Sequence, residues 1–403
     1  MSSLPTGLLS EKSRHRNLLL GLSAIAFGHL ALETCNNFLP ILYPTIVNRL
    51  RLSYTQVGFI ALVHGAFGSF PQPLFGWVAD RAGGRVLGWA SLAWLGIWAA
   101  AVGFTQGYAI LLVCVSLMGL ASAMYHPVGA SGASEVFPQR PGTAISVFSL
   151  GGNIGAALSP VIVAALIGRN GMRGTIWLLP VGLMSSLILW RYLPSLRPRS
   201  ASSISVQSPV AVDKGRIVLL CLVVAISTSQ AWFTRILGTY TPLLFAARGQ
   251  GETTASLILF VMSICSALGT IAGGLLSDRI GPTKVISSSW ILAVPTAAIF
   301  FRTSGGYAFP LAGTLGFLTG MTYPLVIVLA NRVWSHRPAL AMGLTLGIGW
   351  GFAGLGVTAA GAVADRHGLL TALNTALVPA GLVVLFAGFL HVLIVRGDAQ
   401  RKH

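Results

Sequence analysis

Two ionisable side chains stand inside otherwise apolar stretches of this 403-residue chain: Glu33 and Arg235. A charge at mid-membrane costs about 2.5–3.5 kcal/mol on insertion scales, so each is functional by default. A carboxylate in that setting takes up and releases protons, and a guanidinium holds an anion. His29, Glu33, Asn36 and Pro40 follow the spacing of one helical face, with Asn37 beside it. Trp232, Arg235, Thr239 and Pro242 follow the same spacing further on, and Tyr240 joins them as a candidate substrate contact. His126, between Tyr125 and Pro127, titrates near neutrality and suits either a proton relay or a substrate hydrogen bond. A histidine satisfied by a neighbouring helix is the plainer alternative. His64, Gln72 and Asn153 are polar enough to touch substrate and equally suited to bonding between helices.

The elements that carry these residues are set by composition. The chain is 54% hydrophobic and 9% charged, far below the roughly 25% charge of soluble domains. About a dozen stretches are long enough to cross a bilayer as helices. They are placed near 17–43, 53–79, 86–105, 107–133, 141–168, 173–193, 216–245, 253–278, 285–302, 305–331, 338–364 and 369–395. No cleavable leader is expected, because Arg14, His15 and Arg16 run straight into a full-length span. With both termini cytoplasmic, cytoplasmic segments hold 18 of the 26 Lys and Arg and the outer loops hold 7. This is the positive-inside bias, so the net charge of +17 orients the chain and gives no reason to invoke nucleic acid. The four cysteines fall inside expected spans, with neither disulfide nor metal spacing.

A Ser-, Pro- and Arg-rich stretch divides the chain into residues 1–195, a linker over 196–215, and residues 216–403, with six spans on each side. Landmarks recur at an offset of 198: Pro44 with Pro242, Gly76 with Gly274, Asp80-Arg81 with Asp278-Arg279, Gly83 with Gly281, Tyr125 with Tyr323. Two halves related by an axis along the membrane normal follow. Gly361 to Gly368 repeats the Gly-x-x-x-Asp-Arg-x-Gly pattern once more, on the other side of the membrane, as an inverted repeat within a half would produce.

Depth counting places Glu33 about 25 Å and Arg235 about 28 Å from the inner edge, both slightly toward the outside. Arg235 is also the repeat mate of Asn37, so the two charges face one central cavity and are expected to sense each other across it. Either a proton on Glu33 competes with an anion at Arg235, or the two form a permanent salt bridge. By the same counting His126 lies in the cytoplasmic half. An intramembrane enzyme would need clustered carboxylates or a catalytic His/Cys/Asp set. Only Glu33 of the nine acidic residues lies in the interior, and neither His-Glu-x-x-His nor Gly-x-Ser-x-Gly occurs. No enzyme, metal or cofactor is expected.

GWVADRAGGR (Gly76 to Arg85) and GLLSDRIGPTK (Gly274 to Lys284) resemble the paired signature of the major facilitator superfamily. In that family the cluster, here Gly76, Asp80, Arg81, Gly83 and Arg85 with Gly274, Asp278 and Arg279, latches the cytoplasmic gate; the alternative is that it only fixes topology. Pro282 and Thr283 displace the second copy's closing basic pair. The pattern from His29 through Glu33 to Tyr43-Pro44, Gln72-Pro73, Tyr125-His126-Pro127, Phe148 to Pro160 and Gly349 to Gly356 is similar to the fosmidomycin-resistance exporters within it. The resemblance implies a twelve-helix, all-α fold in a bacterial-type inner membrane. It implies a monomer that exports a small, anionic drug or metabolite against protons by alternating access. Uptake of a small organic anion by proton symport is the alternative. Two departures stand out: the family tends to carry Asp where Glu33 stands and a small residue where Arg235 stands.

Overall fold

The computed structural model describes residues 6–136, 140–193, 214–334 and 343–400. Among these, every regular element is helical. The first part of the chain forms α1 (Thr6–Asn36), α2 (Leu39–Leu50), α3 (Tyr54–Ser69), α4 (Gln72–Ala82), α5 (Arg85–Val102), α6 (Tyr108–Val136), α7 (Pro141–Asn170) and α8 (Leu178–Tyr192). The second part forms α9 (Lys214–Ala247), α10 (Glu252–Ile280), α11 (Pro282–Phe300), α12 (Ala308–Gly320), α13 (Tyr323–Val333), α14 (Gly349–His367), α15 (Leu369–Thr375) and α16 (Leu377–Gln400). Of the expected linker, 196–213 lie outside the described residues, and Lys214 and Gly215 already belong to α9.

Nine segments among the described residues are long and apolar enough to cross a bilayer. The expected spans differ from these in three places. The second span is broken into α3 and α4, ahead of Pro71 and Pro73. The fifth and sixth run together as one apolar stretch, Thr143–Tyr192, of 50 residues. As a single helix it would reach about 75 Å, more than twice the hydrocarbon core, and a 3-10 turn at Gly171–Trp177 divides it into α7 and α8. The eleventh begins in 335–342, outside the described residues, and continues through a π-helical turn (Gly343–Ile348) into α14.

Proline chemistry places the break nearest the buried charge. Pro40 has no N–H, so the Asn36 carbonyl loses its helical donor and α1 ends there. Asn37 closes the frayed turn: its Nδ2 donates to the Glu33 carbonyl at 3.0 Å and to Glu33 Oε2 at 2.5 Å. The apolar segment then continues through α2 to Leu50, so Glu33 sits near its middle rather than toward one face.

α7 lies along α1, where Gly151 and Gly155 rest on the carbonyls of Ala26 and Leu30 one turn apart. A Cβ at either position would overlap backbone oxygen. Small residues at this spacing bring two backbones together where lipid supplies no hydrophobic drive. Ser159 Oγ adds a bond to the Thr34 carbonyl at 2.7 Å. α1 thus has a rigid backing. The first eight helices pack chiefly among themselves, as do the last eight, and α3 on α14, α7 on α10 and α2 on α9 join the two sets. Leu74, Leu275 and Leu385 project outward, as a lipid solvent allows.

The three Gly-x-x-x-Asp-Arg-x-Gly loops share a backbone form. Gly83, Gly281 and Gly368 have φ of 85°, 89° and 85°, the region that favours glycine. The N–H of each donates to the carbonyl four residues back at 2.9 Å, ending its helix. The third copy is therefore structural as well as sequential.

Gly155→Leu should destabilise the protein by about 1–3 kcal/mol through overpacking, read as a fall in Tm of the purified chain. Gly168→Ala, on the same helix but with open space around it, should leave Tm unchanged or slightly raised.

Candidate functional site

Glu33 does not stand alone: α1 and α6 close a three-residue cluster around it. His29 Nδ1 lies 2.8 Å from the Phe148 carbonyl of α7, which only accepts, so Nδ1 carries the hydrogen. The His29 ring stacks on Phe148, centroids 4.0 Å apart. His126 Nδ1 lies 2.9 Å from the Ser122 carbonyl and carries its hydrogen for the same reason. Both Nε2 atoms then point at one oxygen, Glu33 Oε1, from 3.6 Å (His29) and 3.2 Å (His126). In the neutral imidazoles these are lone pairs, and an ionised carboxylate oxygen is an acceptor too. Three acceptors meeting away from water need a shared proton or a cation. Their ligand atoms lie within 4.8 Å of one another, a spacing that a metal ion could also span; a proton meets the need with no further ligand. The His126 side chain is 30% exposed, Glu33 16% and His29 10%, so His126 is the member nearest water.

Arg235 occupies a separate place. Its Nε is buried without a hydrogen-bond partner, and its guanidinium carbon lies 5.3 Å from the Trp350 ring centroid, within cation–π range. Among the described residues, ion pairs join Glu33 to histidines and none joins it to Arg235. The permanent salt bridge is thereby corrected: the two histidines occupy the carboxylate, and α3, carrying His64 and Gly65, lies against Arg235. His64 links the two places. Its Nε2 is 2.9 Å from Asn36 Oδ1, and it lies within electrostatic reach of both Arg235 and Glu33. His126 is corrected as well. It meets Glu33 at one depth, because the first apolar segment extends past the proline break to Leu50.

The remaining candidates sort by where their polar atoms go. His29 belongs to the cluster around Glu33 rather than to a substrate wall. Tyr125 is fully buried and spends its hydroxyl on the Ile25 carbonyl at 2.6 Å, behind His29. Tyr240 is also fully buried, its hydroxyl on the carbonyls of Val357 (2.9 Å) and Tyr54 (3.2 Å), so it joins helices and offers nothing to a ligand. Gln72 Nε2 bonds within its own chain turn to Gly68. Trp232 Nε1 is buried without a partner against Gly356. Asn36 holds His64, Asn37 holds Glu33, and Asn153 is exposed on α7 outside these contacts. Trp350, Gly65 and Tyr323 were not marked as site residues by charge or spacing; the Gly and Trp pair with Arg235 only through the fold.

The Gly-x-x-x-Asp-Arg-x-Gly motifs lie at opposite ends of the helices. Asp365, in the third copy, accepts from Tyr54 N (2.6 Å), Thr55 N (3.0 Å) and Thr55 Oγ1 (2.5 Å), capping the first turn of α3 from the other set of helices. Burial pushes its carboxyl up, but these hydrogen bonds outweigh burial and hold it below the usual carboxylate range. Thr45 Oγ1 to Glu252 (2.5 Å) joins the same end. At the other end Asp80, Asp278 and Arg279 are exposed. Arg81 stacks on Trp77 at 4.3 Å, Arg85 donates to the Trp190 carbonyl at 2.8 Å, Gly76 faces Pro127 and Gly274 open space. Because the folded carboxyl is depressed, the Asp365 contact is intact above the ordinary range near about 3.9 and is lost as pH falls through its lower folded value. Asp365→Asn should cost about 1 kcal/mol, as for loss of a helix cap. The check is labelling of Thr358→Cys, on α14, by an impermeant thiol reagent, which should rise about fivefold in the variant.

The sequence profile of the Major Facilitator Superfamily matches residues 25–356. The fosmidomycin resistance protein of Escherichia coli is 26% identical, covering 89% of this chain and 90% of that one. An uncharacterized MFS-type transporter of Bacillus subtilis is also 26% identical, covering 86% of each. Among solved structures, the nucleoside transporter NupG superposes with a TM-score of 0.75 at 15% identity, covering 93% of this chain and 99% of that one. A bacterial homolog of the lysosomal transporter Spinster, inward-facing and occupied, gives 0.70 at 16%, covering 92% and 96%. A helical chain with that signature, matched along most of its length and sharing that fold, belongs to the Major Facilitator Superfamily.

Proposed function

We propose that this transporter couples the movement of a small organic anion to protons, acting as an antiporter that exports its substrate by alternating access. One observation carries the proton half: His29 Nε2, His126 Nε2 and Glu33 Oε1 converge with no hydrogen fixed among them. The cluster is stable with a proton and strained without one, and His126 gives it a route to water. Arg235, whose Nε is buried without a partner and which has no ion pair among the described residues, carries the anion half. Export is supported by similarity to proteins named for fosmidomycin and multidrug resistance. In this reading twelve spans cross the inner membrane, both termini are cytoplasmic, and one chain suffices, since a single chain carries both charges. The Asp365 contact is the outer gate, closed in this state; Asp80 is the inner latch, taking the matching role when the protein opens outward.

A second reading has its own support in the charges. His64 lies within reach of both Arg235 and Glu33, so a proton added to the cluster raises the positive potential at the anion site. That linkage has the sign of symport, and a relative in Cupriavidus pinatubonensis, 25% identical over 83% of this chain and 81% of that one, is named a probable 4-methylmuconolactone transporter.

Binding and transport measured against pH separate the two. Coupled sites shift affinity by about 5–150-fold. Labelled fosmidomycin or benzoate bound by the purified wild type should change affinity by at least about fivefold as the cluster titrates. Weaker binding at acid pH means antiport; tighter binding means symport. Glu33→Gln should flatten the pH dependence and abolish gradient-driven accumulation in inside-out vesicles. Unaltered pH dependence in that variant would overturn the proton role.

A further inference from the structure

The cluster around Glu33 has the composition and spacing of a metal site. Two imidazole nitrogens and one carboxylate oxygen are a donor set of three-ligand zinc centres, which leave a fourth position to water. With bonds of about 2.0–2.2 Å to a tetrahedral ion, neighbouring ligand atoms stand about 3.3 Å apart. Glu33 Oε1 lies 3.2 Å from His126 Nε2 and 3.6 Å from His29 Nε2, on either side of that value. The ligand atoms of the three residues all lie within 4.8 Å of one another, so the two imidazoles need to close by at most about 1.5 Å. The His126 side chain, 30% exposed, has room for that move, and its open side gives the ion a path in and the fourth ligand a place.

The groups behind the ligands are those a metal requires. Each imidazole gives its Nδ1 hydrogen to a backbone carbonyl, His29 to Phe148 at 2.8 Å and His126 to Ser122 at 2.9 Å, which leaves a lone pair on each Nε2 facing Glu33. Asn37 Nδ2 holds Glu33 Oε2 at 2.5 Å, so Oε1 remains as the single ligating oxygen. His29 and Glu33 stand one turn apart on α1 and His126 comes from α6, so two packed helices rather than a loop fix the set. We infer that this cluster binds one zinc-class divalent ion, which takes the place of the proton that the three acceptors otherwise share. Two nitrogen donors select against magnesium and calcium, which take oxygen ligands. Imidazole suits zinc, and cobalt as its stand-in. The site goes beyond the proton-coupled reading and does not need it, because ion binding calls only on the lone pairs and their spacing.

The test is calorimetric titration of the purified full-length chain, freed of metal and of any histidine tag, with zinc chloride. Expected is one ion per chain at micromolar affinity or better, with magnesium and calcium chloride giving no binding heat. Loss of a group behind a ligand already costs about 10–100-fold in metal affinity. His29→Asn, Glu33→Gln and His126→Asn should therefore each weaken zinc at least about tenfold. His367→Asn, at an exposed histidine in the last turn of α14, should leave it unchanged. Where a ligand variant fails to fold, the wild type still decides. Cobalt(II) should give the visible absorption of a four- or five-coordinate ion, discharged by an equivalent of zinc. A pale octahedral cobalt spectrum would overturn the inference, as would magnesium bound as tightly as zinc or no zinc bound to the folded chain. Zinc binding that persists in all the ligand variants, or is lost in His367→Asn, would place the ion elsewhere with the same consequence. Each of those outcomes leaves the proton role of Glu33 to the pH dependence of anion binding, and a flat pH dependence there leaves the zinc site standing.

Discussion

A carboxylate in the middle of a bilayer-crossing helix cannot be solvated by lipid, so its surroundings must supply both donors and positive charge. In this protein Glu33 meets that demand with Asn37 from its own broken turn, His29 from one turn back, and His126 from α6. Much of the nearby architecture follows. The proline that ends α1 frees Asn37 to fold back on Glu33. The glycines of α7 let its backbone close on α1, which brings the Phe148 carbonyl to His29 and fixes which nitrogen faces the acid. The Ser122 carbonyl does the same for His126. Each partner is held by a backbone atom, so the cluster has few ways to relax other than by gaining or losing a proton.

Arg235 solves the opposite problem by different means. A guanidinium keeps its charge through any ordinary pH, and among the described residues no carboxylate pairs with it. Contact with an aromatic ring and with bare backbone at Gly65 offsets part of the desolvation, leaving its Nε unmet. A buried donor without an acceptor is costly to keep. His64 stands between the two places, bonded to Asn36 and within electrostatic reach of both charges.

One short motif recurs at three helix ends with one backbone form. Gly83, Gly281 and Gly368 end their helices with the same positive φ, and each is preceded three residues earlier by an aspartate. Asp365 is engaged across the two sets of helices by Tyr54 and Thr55. A carboxylate at the start of a helix is favourable because the first turn's N–H groups have no other partner. The bond is local and contains no large buried surface.

Much was legible in the chain itself. Glu33 and Arg235 stood out because an ionisable group within a long apolar run has no bland explanation, and the helical class followed from the need to satisfy every backbone group within the membrane. The repeat at an offset of 198 tied the landmarks of the two halves, and the third aspartate motif proved to share their backbone form. Partnership was not legible. Glu33 and Arg235, the repeat mate of Asn37, were expected to sense each other across one cavity, with a permanent salt bridge as one alternative, whereas His126 and His29 hold Glu33; His126 was assigned another depth because the proline break hid how far the first segment continues. Tyr240 looked like a ligand contact and is a helix–helix bond, while Trp350 and Gly65 carried no mark of function. Composition and period decide that a residue is buried and in a helix. Which atom it meets depends on the rotation, tilt and register of helices far apart in the chain, and only close packing between their side chains settles those.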